Sequence, residues 1–205
     1  APNLLFVVVD HLRAGDEQRY HPGETNLRMA DYVIVNKENS ADPAQIKAVV
    51  QSARHFNPRA KIIHADSILT SDSKMNIRGK RVCVVEDGPT VTHGGMPFGA
   101  GTQFAKMKKA QIVDPRPFVK GGIKRVFEKY HQLEYVVPAL GYSKEEIKEL
   151  EQLLNAIPCD AFVSGTPINL RNVLKLNKPI VQVNYALKEK GALDLKKILK
   201  QKKFI

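Results

Sequence analysis

Short apolar runs rich in β-branched residues recur along this chain, and between them apolar positions fall three and four residues apart. The runs Leu4 to Val9, Tyr32 to Asn36, Lys61 to Ala65, Arg81 to Glu86, Gln111 to Val113, Tyr135 to Val137, Ala161 to Ser164 and Ile180 to Asn184 predict strands. Helices fill the intervals. Asp42-Pro43 reads as N-cap and first helical residue, with Ile46, Val49, Val50 and Ala53 on one face. Ser143 with Glu146 forms a capping box ahead of Ile147, Leu150, Leu154 and Ile157. Strand and helix alternate from end to end without internal repeat, which predicts an α/β fold, a mostly parallel sheet flanked by helices. The polar stretch Thr70 to Asn76 is the natural boundary, giving an upstream part over 1–75 and a downstream part over 76–205.

With 205 residues the chain can bury a substantial core, and its net charge of +11 calls for an anionic partner or a solvated basic face. Lys188, Lys190, Lys196, Lys197, Lys200, Lys202 and Lys203 cluster near the end against only Glu189 and Asp194, the composition of a solvated amphipathic helix. Few aromatics interleave with those lysines, which argues against nucleic acid and leaves a small polyanionic substrate as the expected partner. The opening apolar run ends at Asp10 without a basic leader or cleavage site, and no run reaches membrane-spanning length. The expectation is a cytoplasmic protein that does not engage a membrane; a homo-oligomer stays open. Cys83 and Cys159 lack metal-ligand spacing and read as buried structural thiols.

The upstream chemistry begins with Phe6-Val7-Val8-Val9-Asp10, an apolar strand ending in a carboxylate, the form of a Walker B strand that holds Mg2+. A second such strand ends in Asn36-Lys37, the pair that P-loop GTPases set beside the base. Where those proteins carry Asp two positions after the lysine, this chain has Asn39, which is not an acceptor-only group, so ATP is favoured over GTP. His11 and Arg13, just past the metal strand, are candidates to meet a transferring phosphoryl group, and Arg28 to clamp a substrate phosphate. No GxxxxGK[ST] pattern occurs in the chain, so a Walker A segment is expected to be supplied from upstream of these residues.

Downstream, the stretch from Glu86 to Gly101, EDGPTVTHGGMPFGAG, follows an apolar strand and joins acids, hydroxyls, a histidine and five glycines. Glycine amides such as those of Gly94 and Gly95 can approach an anion closely, with Thr90, Thr92 and His93 adding donors. An ordinary glycine-rich connection would look similar. Arg116, stiffened by Pro115 and Pro117, is a candidate anion clamp.

That glycine-rich segment resembles the signature of the cyclic 2,3-diphosphoglycerate synthetase family, whose relatives are commonly labelled GTPases. Three further segments fit the family in order: 20–31, Val113-Asp114-Pro115-Arg116-Pro117, and Gly165-Thr166-Pro167-Ile168-Asn169-Leu170. The resemblance implies a P-loop NTPase-like upstream half, a Rossmann-like downstream half, and a phosphate-cradling loop lying before Asp10. It implies ATP-dependent closure of a phosphoanhydride in 2,3-diphosphoglycerate, with His93 catalytic and Thr90, Thr92, Gly94, Gly95 and Arg116 around the substrate. The alternative is a regulatory or chaperone-like P-loop NTPase that uses nucleotide as a switch and needs no second polyanion pocket.

Overall fold

The apolar runs do become strands, and the amphipathic intervals become helices. The computed structural model describes residues 2–19, 21–141 and 143–205. Along the chain these form β1 (Phe6–Asp10), α1 (Asp16–Arg19), α2 (Gly23–Met29), β2 (Tyr32–Asn36), α3 (Pro43–Phe56), β3 (Lys61–Ser71), β4 (Arg81–Asp87), α4 (Gly88–Val91), α5 (Ala100–Met107), β5 (Gln111–Ile112), α6 (Gly121–Lys129), β6 (Val136–Ala139), α7 (Lys144–Ala156), β7 (Ala161–Ser164), β8 (Ile180–Lys190) and α8 (Leu195–Gln201). The architecture is α/β with a mostly parallel sheet. The cap signals hold: Asp42 Oδ1 accepts from the Ala44 amide at 2.9 Å, and Ser143 and Glu146 exchange both bonds of a capping box at 3.1 Å. Each cap is worth about 1 kcal/mol.

Two strands outrun their prediction. β3 continues past Ala65 to Ser71 and β8 past Asn184 to Lys190, through exposed positions that alternate with half-buried ones. Contacts divide the chain into one unit that runs to Ile68 and takes in Ala186–Ile205, and another comprising Leu69–Tyr185.

In the first unit β1, β2 and β3 lie side by side and parallel, with Asp10 opposite Asn36 and Val35 opposite His64. One face packs Val9, Val33 and Val35 against Leu27 of α2 and Val49 and Ala53 of α3. The other packs Tyr32, Ile34, Ile63 and Ala65 against Ile198 of α8. The lysine-rich end is only in part a solvated amphipathic helix: in α8 Ile198 is buried while Lys196, Lys197 and Lys200 face water, whereas Lys188 and Lys190 belong to β8. Pro22 stands at the cap position of α2, where its missing N–H costs nothing.

In the second unit β7 pairs with one edge of β4, and β5 and then β6 occupy its other edge; β8 lies beyond β7. The pairs are parallel, so Glu86 of β4 and Ser164 of β7 come to the same carboxyl end, where open α/β sheets place their ligands. Val82, Val84, Phe104, Phe127, Leu150, Leu154 and Phe162 fill the core. Cys83 and Cys159 are free and buried, and burial pushes both thiols up. Among the described residues no helix is long and apolar enough to cross a membrane.

Candidate functional site

In the first unit, adjacent strand ends bring together Asp10, His11, Arg13, Asn36 and Lys37. Asp10 accepts from the Leu12 amide at 3.0 Å through one oxygen and receives the Lys37 ammonium on the other, with the Arg13 guanidinium 3.9 Å away. Lys37 takes a left-handed backbone, φ 63°, and its amide donates to Asn36 Oδ1 at 2.8 Å. His11 holds that conformation from beneath. It is fully buried, its Nε2 lies 2.9 Å from the Lys37 carbonyl oxygen, and a carbonyl can only accept, so Nε2 carries the proton. Nδ1 is buried and without a hydrogen-bond partner.

The arrangement is a cation, Lys37, aimed by a carboxylate. Both Asp10 oxygens are engaged within the chain, and no group of three or more metal-ligating side chains occurs among the described residues. Asn39 stands apart, its amide donating to the Ser67 carbonyl and accepting from the Ser67 amide, both at 3.0 Å. Arg28 also stays out, held by Glu24 at 2.8 Å and lying 4.8 Å from the Phe56 ring centroid.

Sequence reasoning missed a second charged cluster in this unit. The nearly buried Glu38 carboxylate meets His64 Nδ1 and, at 3.3 Å, Lys190, which reaches Asp66 at 2.8 Å. Hydrogen bonding to Asp66, and then to Glu38, raises the Lys190 ammonium above the ordinary lysine range. Lys190 is far from Glu38 in sequence, and only the extension of β8 delivers it.

In the second unit the glycine-rich loop does gather amides around an anion, and the anion is its own Glu86. This carboxylate is 1 % exposed; Oε1 accepts from the Gly99 amide at 3.0 Å, the Thr102 amide at 2.7 Å and the Thr102 hydroxyl at 2.8 Å, while Oε2 accepts from Gly101 at 3.2 Å. The glycines permit this approach: a Cβ at Gly99 would lie 2.6 Å from Glu86 Oε2, and one at Gly165 only 2.1 Å. Burial nonetheless raises the Glu86 carboxyl above its ordinary range, the four donors opposing. A glutamate ending an otherwise apolar strand was the available signal.

The donors expected to face a substrate phosphate are mostly engaged within the loop. Gly94 donates to the Pro89 carbonyl at 2.8 Å and Gly95 to that of Thr92 at 3.0 Å. Thr90 donates to Asp87 at 2.9 Å, Thr92 to the Gly88 carbonyl at 2.7 Å, and His93 lies 3.2 Å from the Tyr130 hydroxyl. Arg116 grips Asp114 in a fork at 2.7 to 3.0 Å, which lowers the Asp114 carboxyl below its ordinary range. The structure leaves different groups open at the strand ends. Ser164 Oγ and Gln182 Oε1, on register partners of β7 and β8, are buried without hydrogen-bond partners, while Gln182 Nε2 is anchored on the Thr166 carbonyl at 2.7 Å. Gln182 Oε1 can only accept, while the Ser164 hydroxyl can accept or donate.

No protein-family model matches the chain. It is similar, over nearly all its own length, to a synthetase-type enzyme. That relative is the arginine synthetase ArcE of Thermococcus kodakarensis, 47 % identical over 201 residues that make up 98 % of this chain and 45 % of the relative. The chain therefore spans less than half the length of the curated relative it matches.

Proposed function

We propose that this chain is part of an ATP-driven synthetase whose product is arginine or a close guanidino compound. The observation that carries the reading is the 47 % identity to an arginine synthetase across 98 % of the chain. The first unit is read as the P-loop NTPase-like half, with Lys37 and Arg13 meeting nucleotide phosphates and Asp10 and His11 positioning Lys37. The phosphate-cradling glycine loop comes from polypeptide outside these residues, and magnesium enters only as the counter-ion that ATP carries. The second unit is read as Rossmann-like. There Ser164 Oγ and Gln182 Oε1 accept from substrate N–H groups, with Glu86 holding the glycine-rich loop.

The chemistry balances simply. A guanidinium is made when ATP phosphorylates the ureido oxygen of citrulline and ammonia displaces that oxygen as phosphate, leaving arginine and ADP. Water must be kept from the activated carbon. A cyclic 2,3-diphosphoglycerate synthetase is the second reading, favoured by the glycine-rich signature and the net charge of +11. In both readings the candidate cations are already paired within the chain, Lys37 with Asp10, Arg28 with Glu24 and Arg116 with Asp114, so a bound anion must compete with these carboxylates.

Phosphorus and carbon NMR separate the readings. The protein, alone and together with the unmatched part of the Thermococcus enzyme, is given ATP with citrulline and ammonia, or ATP with 2,3-diphosphoglycerate. Arginine forming with ADP is the expected result. A new phosphoanhydride resonance would favour the cyclase, and ATP hydrolysis with neither product the regulatory NTPase.

A further inference from the structure

β1 is built like an interior strand and stands at an edge. Phe6-Val7-Val8-Val9 is apolar on both faces, the pattern of a strand covered on every side. Yet β1 is the terminal strand in the order of the described sheet, with β2 as its neighbour, and Val8 is 58 % exposed. Edge strands in soluble proteins are ordinarily blunted by a lysine, a proline or a bulge, and this one carries none of these.

The backbone says which groups are free. In a parallel pair alternate residues turn both N–H and C=O toward the same neighbour. The amides of Asp31 and Tyr32 donate to the Leu5 carbonyl at 3.0 and 3.2 Å, so Leu5, Val7 and Val9 face β2. Phe6, Val8 and Asp10 therefore turn their backbone groups outward, and the Val8 side chain is exposed on the face of the sheet beside that edge.

We propose that the outer edge of β1 receives a further β-strand, and that this strand belongs to polypeptide equivalent to the part of the longer synthetase that this chain does not match. The matched region accounts for 45 % of that relative, leaving ample chain to supply one. Its chemistry is specified by the edge: an extended segment, apolar where it lies beside Val8, with main-chain groups that pair with Phe6, Val8 and Asp10. The added strand would also run beside Asp10, bringing new backbone to the Lys37 end of the sheet.

The proposal rests on the length comparison and the exposed edge, not on arginine as product. The test is amide hydrogen exchange by NMR on the labelled chain, before and after adding the unmatched part of the Thermococcus enzyme as a separate polypeptide. Before addition, Val7 and Val9 are protected and Val8 exchanges freely. After addition, Val8 exchange slows by about tenfold or more while Val7 and Val9 keep their protection. Val8→Lys, which leaves the core untouched, abolishes the slowing. Protection of Val8 in the chain alone, self-association through β1, absence of binding, or binding that leaves Val8 unprotected would each overturn the proposal. Protection of Val8 without arginine formation would support the docking and count against the substrate reading.

Discussion

Replacing Glu86 separates the two forces that act on it. In Glu86→Ala, the amides of Gly99, Gly101 and Thr102 and the Thr102 hydroxyl lose their acceptor inside the core. At about 1 to 3 kcal/mol for each unsatisfied buried group, with partial relief as the hydroxyl rotates, the loss is about 3 to 5 kcal/mol, a large fraction of a domain's stability. Glu86→Gln keeps an oxygen for the three donors on Oε1 and faces only the Gly101 amide with the wrong group, so it costs about 1 kcal/mol. The pH dependence is sharper still. Because burial raises the folded-state carboxyl, Glu86 stabilises fully below its unfolded-state range and progressively less as pH rises through the raised value. Wild type should therefore exceed Glu86→Gln in stability by more at about pH 4 than at about pH 8, values that bracket the ordinary glutamate range. Urea denaturation of both proteins across that interval is the assay. A wild-type advantage that grows with pH would refute the reasoning, since the four donors would then outweigh burial.

Gly165→Ala sets a Cβ 2.1 Å from Glu86 Oε2 and should cost about 3 kcal/mol or more in a thermal melt, whereas Gly79→Ala, with open space but φ +71°, should cost about 1 kcal/mol. Asn39→Asp removes the donor to the Ser67 carbonyl and should lower stability by about 1 kcal/mol without creating a preference for GTP in a nucleotide-binding titration. Lys37→Met should weaken ATP binding by about tenfold or more in calorimetry, since Asp10 then sits at the strand end without its cation. Lys190, raised by Asp66 and Glu38, contributes below the ordinary lysine range and loses that contribution as pH rises through its raised value. The wild-type advantage over Lys190→Met should accordingly shrink in strongly alkaline denaturation.

β2 and β7 begin and end where their apolar runs do, because strands buried along their length announce themselves in composition. The caps at Asp42 and Ser143 were equally legible, since they depend on residues a few positions apart. The extensions of β3 and β8 were not, because exposed residues there alternate with half-buried ones and resemble loop. Asp10 and Asn36-Lys37 were read as two separate strand ends, one for metal and one beside the base, and the pairing of β1 with β2 sets them side by side. Glycines in the downstream loop signalled amides near an anion, but spacing alone cannot say which amides or whose anion: those of Gly99, Gly101 and Thr102, not Gly94 and Gly95, gather on the chain's own Glu86. Arg28 and Arg116 looked available because their partners lie so close in sequence that each pair reads as ordinary surface charge.

Isotope transfer tests the synthetase claim most directly. Citrulline labelled with oxygen-18 in its ureido group, supplied with ATP and ammonia, should pass the label to inorganic phosphate as arginine and ADP appear in equal amounts. Arginine formed with unlabelled phosphate, or phosphate released without arginine, would contradict ATP activation of the ureido oxygen and with it the function proposed for this chain.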